Sequence, residues 1–546
     1  MRATLVGDDG RREEVEVVGN LAVFVREQEA GHPRWVWDDT SRWYPRLLSA
    51  GVRVERCTDL RLCHAILRSS SLTAGSILAT ASRGPWDAAP ESFPGGNPAA
   101  AKPAHTTLFD LDQVVSATGS EPDPIAEFDL QRAAVAACAE PARIDRLLAA
   151  ESAGALIAAE MRCAGLPWSE AKHDSILAEV LGPRPAVEGV RPQKLQAVLE
   201  KVRRLLEAPE LNPDSPAELI RALGLAGLMV TSTRSWELKK LKHPVIEPLL
   251  EYKKLARLLS SNGWVWLDTW VDGGRFRPDY VPGGVVTGRW ATSGGGALQL
   301  PRHIRAAVVA DEGWKLVVAD ASQLEPRILA AMAADRSMVE AGAAGDLYAG
   351  IVASGAVKSR DQAKVAMLGA MYGATSGESG RLMPKLARAY PRAIEMVEAA
   401  ARAGERGEVV TTRLGRSSPP GPVADAWDES VSPADATRAR EQARSWGRFT
   451  RNFIVQGTAA EWALCWMASI RRRLNTSTTN SRITDGPHLV FFLHDEVVVH
   501  APGGLADWVA IEVTEAAAEA GRLLFGDLPA QFPLTIAIVD DYGQAK

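Results

Sequence analysis

The stretch Lys315-Leu-Val-Val-Ala-Asp-Ala-Ser-Gln-Leu-Glu-Pro-Arg327 decides how this chain is read. Leu316 to Ala319 is a short continuous apolar run, the pattern of a buried strand, and it delivers Asp320 at its end. Ile328 to Ala333 then begins a helix-forming pattern. A carboxylate placed there can hold a metal, although most acids at such positions cap a helix or close a turn. A second stretch, Leu489-Val-Phe-Phe-Leu-His-Asp-Glu-Val-Val-Val-His500, shifts the balance, because there acids interrupt an apolar strand pattern.

Working outward, 546 residues leave room for roughly two to four domains. The apolar share of 46 % supports several cores. With 62 basic against 67 acidic side chains the formal charge is -5, so bulk charge argues neither for nor against nucleic acid and any basic surface is local. The five cysteines, Cys57, Cys63, Cys138, Cys163 and Cys465, contain no C-x-x-C pair, which argues against a disulfide framework or a zinc site and for a reducing interior. The amino terminus lacks the basic-then-apolar layout of a secretory signal, and no run of about eighteen apolar residues occurs. The expectation is a cytoplasmic protein with no membrane segment.

The first 75 or so residues read as small α/β material. Leu21 to Val25 and Trp35 to Trp37 are strand candidates, and Arg46 to Ala50 and Leu60 to Leu67 short helices. Ser82 to about Pro124, including Pro94-Gly-Gly-Asn-Pro-Ala-Ala-Ala101, is too poor in large apolar residues to build a core and predicts a long loop. From Pro141 the texture is helical, which sets a boundary near residue 140. Ser215, Pro216 and Glu218 form a capping-box signature. A helix from Glu247 to Ser261 carries Tyr252, Lys253, Lys254 and Arg257, either a solvated face or a surface for a phosphate backbone. Trp264 to Trp290 alternates around glycine turns and suggests a small antiparallel sheet, while Thr287 to Pro301 is polar and glycine-rich and predicts a loop. Residues 345 to 405 and 434 to 475 are helical, Pro419 to Pro433 a loop, and Ala506 to Leu524 a last helix. Strands thus come in clusters between helices, which favours an α+β architecture with an antiparallel sheet.

In the middle helix Arg360, Lys364, Leu368 and Tyr372 recur every fourth residue and make one stripe spanning about 18 Å. Two cations at one end and an aromatic ring at the other suit a nucleoside triphosphate, with phosphates at the basic end. Gly369 and Gly373 each cost about 1 kcal/mol against alanine in a helix, so close approach by another group must benefit. Phosphoryl transfer needs cations that activate the attacking oxygen and neutralise the leaving group, and Asp320 and Asp495 are compatible with adjacent strands of one antiparallel sheet.

The ordered set resembles the polymerase module of bacterial DNA polymerase I, family A. Asp320-Ala-Ser-Gln-Leu-Glu-Pro-Arg327 is similar to the family's first motif, D-Y-S-Q-I-E-L-R. Arg360-x-x-x-Lys364-x-x-x-Leu368-Gly-x-x-Tyr372-Gly is similar to its nucleotide-binding helix, and His494-Asp-Glu496 to its third motif. Thr287-Gly-Arg289, Leu298-Gln299, Thr412-Arg-Leu-Gly-Arg416 and Arg448-x-x-x-Asn452-x-x-x-Gln456-Gly follow in the family's order, so the likeness covers about residues 150 to 546.

The resemblance implies an α+β right hand: a thumb at about 165–262, a palm at about 263–335 and 420–546, and fingers at about 336–419. Before them, residues 1–140 would be a degenerate 3′–5′ exonuclease-like domain with its Pro/Gly/Ala loop at about 82–124. It implies a template-directed DNA polymerase that adds dNTPs to a primer in replication or repair, with two Mg2+ ions (Mn2+ as a substitute). Asp320, Asp495 and Glu496 would be catalytic, and Asp320, Ala321 and Asp495 the metal set. Arg360, Lys364, Leu368, Tyr372, Glu325 and Gln323 would bind nucleotide, Tyr372 with Glu325 excluding ribonucleotides. Arg289, Gln299, Arg448, Asn452, Gln456, His494, Lys253 and Lys254 would bind primer–template DNA. A monomer in the bacterial nucleoid is the corresponding expectation.

Departures are Leu368 for an aromatic ring, and Ala321 and Pro326 for Tyr and Leu in the first motif. No D-x-E occurs before residue 150, and Tyr44, the only tyrosine there, is followed four residues on by Leu48, so proofreading is not expected. A single-subunit RNA polymerase and a non-catalytic DNA-binding module are the alternatives.

Overall fold

Four strands form the sheet that carries both acid stretches: β1 (Trp314–Ala321), β2 (His488–Leu493), β3 (Glu496–Pro502) and β4 (Leu534–Val539), in the order β2-β3-β1-β4. β3 runs antiparallel to both β1 and β2. Leu316 to Ala319 and Val497 to Val499 are buried, which is why these strands read as unbroken apolar runs. The computed structural model describes residues 2–7, 11–16, 19–87, 123–187, 189–373, 377–422, 433–475 and 482–545. The expected loop at 82–124 lies largely outside the described residues, as does most of 419–433.

Helices of the same part of the chain include α1 (Pro141–Ala164), α2 (Leu324–Met332), α3 (Leu347–Ala353), α4 (Arg360–Tyr372), α5 (Pro433–Asn475) and α6 (Ala506–Phe525). α6 packs on β1 and β3, and α1 and α5 pack on β2. Leu329, Met367, Ala370, Val397 and Phe453 belong to one buried cluster that joins α2, α4 and α5 to the helix Pro391–Glu405. This is the α+β architecture the sequence leads one to expect, with an antiparallel sheet.

Towards the amino terminus, Arg34–Trp37 and Arg56–Asp59 pair in parallel. Leu21 to Val25, expected as a strand, is instead the start of the helix Leu21–Glu29. A short apolar run has no period of its own; here Asn20 accepts the Ala22 N–H as a cap, and Ala22 and Val25 bury one helical face. The segment is tied to α1 and α5 by a buried knot. Arg471 donates to Glu160 (2.7 Å) and to the Val54 and Glu55 carbonyls, while the Tyr44 hydroxyl donates to Glu160 at 2.6 Å. Burial works against the Glu160 charge, but Arg471 and Arg53 outweigh it and hold that carboxyl down to about 2.

The chain divides into two units. The larger comprises residues 1–165, 278–298 and 313–538, and the smaller 166–277, 299–312 and 539–546. Within the smaller unit Val202, Leu219, Leu238 and Leu249 share one core. Ser215 accepts the Glu218 N–H as expected, but the Glu218 carboxylate turns to the Asn212 N–H rather than completing the box. Trp264 to Trp270, expected in a sheet, is a helix; its rings Trp264 and Trp266 are buried, and only from Val271 does a hairpin with Arg275–Phe276 begin. In the larger unit the expected loop after Thr287 contains a strand, Ala291–Gly294, paired antiparallel with Asp279–Val281. Ladder bonds are made by the backbone, so a polar sequence without period can still pair.

Candidate active site

β1 and β3 stay in register from Trp314↔Pro502 to Asp320↔Glu496. One position further the Ala321 N–H donates to the Asp495 carbonyl at 2.8 Å. Two acids far apart in sequence are thereby fixed side by side, Asp320 near the end of β1 and Asp495 just before β3, both half-buried, with Ala321 and Glu496 buried beside them. Asp495 is delivered by a tight turn. Its N–H donates back to the Leu493 carbonyl at 2.8 Å, so His494 is the centre of a three-residue turn with φ of 60°. That conformation is rare for a residue with a Cβ and costs on the order of 1–3 kcal/mol, sustained here by the paired strands on either side. Gln323, with φ of 58° and ψ of 41°, makes a similar left-handed step between β1 and α2.

Glu325, in the first turn of α2, gathers three of the sequence-expected residues. One carboxylate oxygen takes the Arg289 guanidinium, and the other takes the Tyr372 hydroxyl at 2.8 Å. Gln456 on α5 reaches the same hydroxyl at 3.4 Å. Burial, then the Glu325 charge, raises the Tyr372 pKa and keeps the hydroxyl a donor. Desolvation on its protein-facing side, then the Arg289 charge, pushes the His494 imidazole below its ordinary value, against the pull of Glu325. Beside these groups lies a cleft of about 80 Å³ lined by Arg289, Glu325, His494 and Asp495 at its polar side and by Trp290, Leu464 and Phe492 among its apolar walls.

On α4 the stripe is as the spacing requires. Arg360 and Lys364 are exposed, Leu368 is half-buried against the helical core, and Tyr372 is exposed at the last turn. Arg360 donates through Nε to Asp346 at 2.8 Å, and its guanidinium lies 5.5 Å from the Tyr348 ring centroid. The close approach expected at Gly373 is real: it ends α4 at φ of 75°, and a Cβ there would stand 2.8 Å from Arg448 Cγ. Arg448, Asn452 and Gln456 follow one another along α5, the first exposed and the others half-buried. In the smaller unit, Lys254 is exposed, while Lys253 is half-buried and donates to the Thr233 carbonyl at 2.5 Å. Gln299 is exposed at the end of a single 3-10 turn, 297–299.

Among the described residues no group of three or more His, Cys, Asp or Glu side chains is arranged to hold a metal. What the site offers is the carboxylates of Asp320 and Asp495 with the main-chain carbonyl of Ala321. These are hard oxygen donors that suit magnesium or manganese, ions that take few protein ligands and complete their shells with water and substrate oxygens. The residues present fit such ions.

The family model described as DNA polymerase family A matches residues 190–538. The chain belongs to DNA polymerase family A. It is 27 % identical over 347 residues to the thermostable DNA polymerase I of Thermus thermophilus, covering 57 % of this chain and 38 % of that one. To DNA polymerase I of Chloroflexus aurantiacus it is 27 % identical over 323 residues, covering 54 % and 32 %. The chain thus spans less than two fifths of the length of these curated relatives. Its fold matches a structure titled as the POL domain of Pol1 from M. smegmatis in complex with DNA primer-template and dNTP, with a TM-score of 0.70 at 18 % identity, over 99 % of this chain and 92 % of that one.

In this family A chain the sequence pointed to both aspartates, to the whole α4 stripe and to Glu325 and Gln323 beside it, but it missed the anchoring by Arg327 and the part played by Asp346. Arg327, 4 % exposed, gives its guanidinium to the carbonyls of Gly342 (3.0 Å), Gln531 (3.2 Å), Ser322 (3.2 Å) and Gly345, and so fixes the loop before α3. At the end of that loop Asp346 caps α3 and binds Gln323. The only signal for Asp346 was an acid following a glycine ahead of an apolar run, which reads as an ordinary helix cap.

Proposed function

We propose that the chain is a template-directed DNA polymerase that extends a primer with deoxynucleoside triphosphates. The observation that carries this is the main-chain bond from Ala321 to Asp495. It joins the end of β1 to the turn before β3, and so sets the two acids of the family's first and third motifs next to one another along the chain ladder. Bound magnesium would neutralise the developing charge of phosphoryl transfer there, held by Asp320, Asp495 and the Ala321 carbonyl. Arg360 and Lys364 bind the triphosphate from α4, and Tyr372, tied to Glu325, closes against the sugar where a 2′-hydroxyl would project. Arg289, Gln456, Asn452, Arg448 and His494 face the minor-groove edge of the primer and template, whose acceptors are nearly the same for every base pair, as copying requires. Leu368 packs less surface against the sugar than a ring would.

The similar mycobacterial domain, whose title names primer-template DNA and dNTP, supports both as partners. In this reading residues 165–262 are the thumb, 336–419 the fingers, the sheet belongs to the palm, and Glu496 assists from beside the metal site. Residues 1–140 act without proofreading. Two acids at the ends of their parallel strands are spent on the fold, Asp39 capping at Ser41 and Asp59 accepting from Thr40 and Leu62. Burial, then the Asp39 charge, pushes the Asp59 carboxyl up to about 7.

Primer extension on a 5′-labelled primer and template tests the proposal. Wild type elongates the primer with dNTPs and Mg2+, Asp320→Ala and Asp495→Ala lose all but a trace of that activity, and no shortening occurs without nucleotides. Near wild-type extension by either variant overturns the metal assignment. Preferential use of ribonucleotides would favour an RNA polymerase.

A further inference from the structure

Arg360 is bound in a particular way. Asp346 Oδ2 accepts from its Nε at 2.8 Å, and among the described residues its two Nη groups have no hydrogen-bond partner. A carboxylate that neutralises an arginine usually takes two parallel bonds from the guanidinium fork. Here the carboxylate holds the inner nitrogen and leaves the outer pair presented. The Tyr348 ring lies 5.5 Å from the guanidinium carbon, so the group is held in orientation by a bond at its edge and a ring at its face.

Asp346 is itself fully engaged. Its Oδ1 accepts from Gln323 Nε2 at 2.7 Å, from the Tyr348 N–H at 2.9 Å and from the Ala349 N–H at 3.2 Å. Gln323 completes the link by accepting the Leu347 N–H at 2.8 Å. The glutamine stands three residues beyond Asp320, and Arg327 anchors the loop that leads to Asp346. A continuous set of bonds therefore runs from the first acid motif to the arginine of α4. Burial works against the charge on Asp346, but the bonds from Arg360 and Gln323 outweigh it and hold the carboxyl down to about 2. The pair is open to water, with the side chains 56 % and 38 % exposed, so it adds little to stability.

We propose that Asp346 is a positioning residue for nucleotide binding: it holds Arg360 by Nε so that both Nη groups face the triphosphate, and through Gln323 it fixes that arginine relative to Asp320. The assignment rests on the polymerase function proposed for the chain. Asp346 also caps α3, and the two roles separate by substitution. Asparagine keeps an oxygen for the helix cap but offers no second acceptor to Arg360.

The test is single-nucleotide incorporation by the full chain on primer–template DNA with Mg2+ and a dNTP titration. Asp346→Asn is expected to raise KM for the dNTP about tenfold, the scale of one lost charge-assisted hydrogen bond, with kcat within about twofold of wild type. Asp346→Glu recovers part of the loss. In an Arg360→Ala background, Asp346→Asn adds nothing, because the group it positions is gone. An unchanged KM in Asp346→Asn, or effects that add in the double variant, overturns the assignment while leaving the polymerase reading intact. A wild-type chain that extends no primer overturns both.

Discussion

Arg416 donates to Glu151 Oε2 at 2.7 Å directly beneath the loop that carries Arg289. Gly288 makes room for it, because a Cβ there would stand 2.4 Å from Arg416 Nε, and its φ of 84° already favours glycine. The arginine of one motif and the glycine of another are thus a single packing unit, anchored on α1. Arg416→Ala leaves the Glu151 carboxyl buried without this partner, and the expected loss is roughly 3–5 kcal/mol in a urea melt. Gly288→Ala should damage the same unit from the other side, with primer–template affinity falling alongside stability as Arg289 is displaced.

Glu325 binds both Arg289 and the Tyr372 hydroxyl, which makes it the bond that closes α4 towards the sheet. Glu325→Ala should raise ribonucleotide incorporation relative to deoxynucleotide by tenfold or more, on the order of the 1.5–3 kcal/mol of a hydrogen bond to a charged group. Tyr372→Phe, which loses the bond but keeps the ring, should do so less. The ratio of kcat/KM for rNTP and dNTP checks both. Equal ratios in wild type and Glu325→Ala would remove Glu325 from sugar selection.

Glu461 on α5 accepts from Thr412 and from the Leu414 N–H at 2.8 Å, and burial pushes its carboxyl up to about 7. The unfolded chain ionises this group near its ordinary value of 4.5, whereas the folded chain resists until about 7. Below both values the group costs nothing. As pH rises between them the unfolded state gains by releasing the proton, so stability falls and then levels off. Glu461→Gln should flatten that part of the stability-against-pH curve, measured by denaturant midpoints from pH 4 to 8. Glu151, also raised by burial against the pull of Arg416, acts with the same sign, so some slope should persist in the variant.

Gly373 ends α4 in the left-handed region with Arg448 against it. Gly373→Ala should cost about 1–2 kcal/mol from backbone conformation alone. It should also weaken primer–template binding, because Arg448 has to move. A thermal melt and a fluorescence-anisotropy titration with labelled DNA separate the two effects; unchanged DNA affinity would mean that Arg448 does not face the duplex.

Much of this molecule was legible along the chain. The strand–acid–helix order at Lys315 to Arg327, the acids that interrupt the apolar pattern of 489–500 and the four-residue spacing of Arg360, Lys364, Leu368 and Tyr372 are local patterns, set by the periods of strand and helix. The same local logic fails at Leu21 to Val25, where a strand is expected and a helix is found. Five apolar residues carry no period, and the Asn20 cap outweighed their strand propensity.

What the chain could not state was who meets whom. Sequence determined that Asp320 and Asp495 end apolar runs; only the antiparallel register, extended by the Ala321 to Asp495 bond, placed them side by side. Sequence supplied a free-looking cation at Arg360; only the fold brought Gln323 from one segment and Asp346 with Tyr348 from another to hold it. Local propensity acts over a few residues and leaves a written period, whereas a partner reached through space leaves none, since many residues could occupy its place in the chain and only the packed structure selects one.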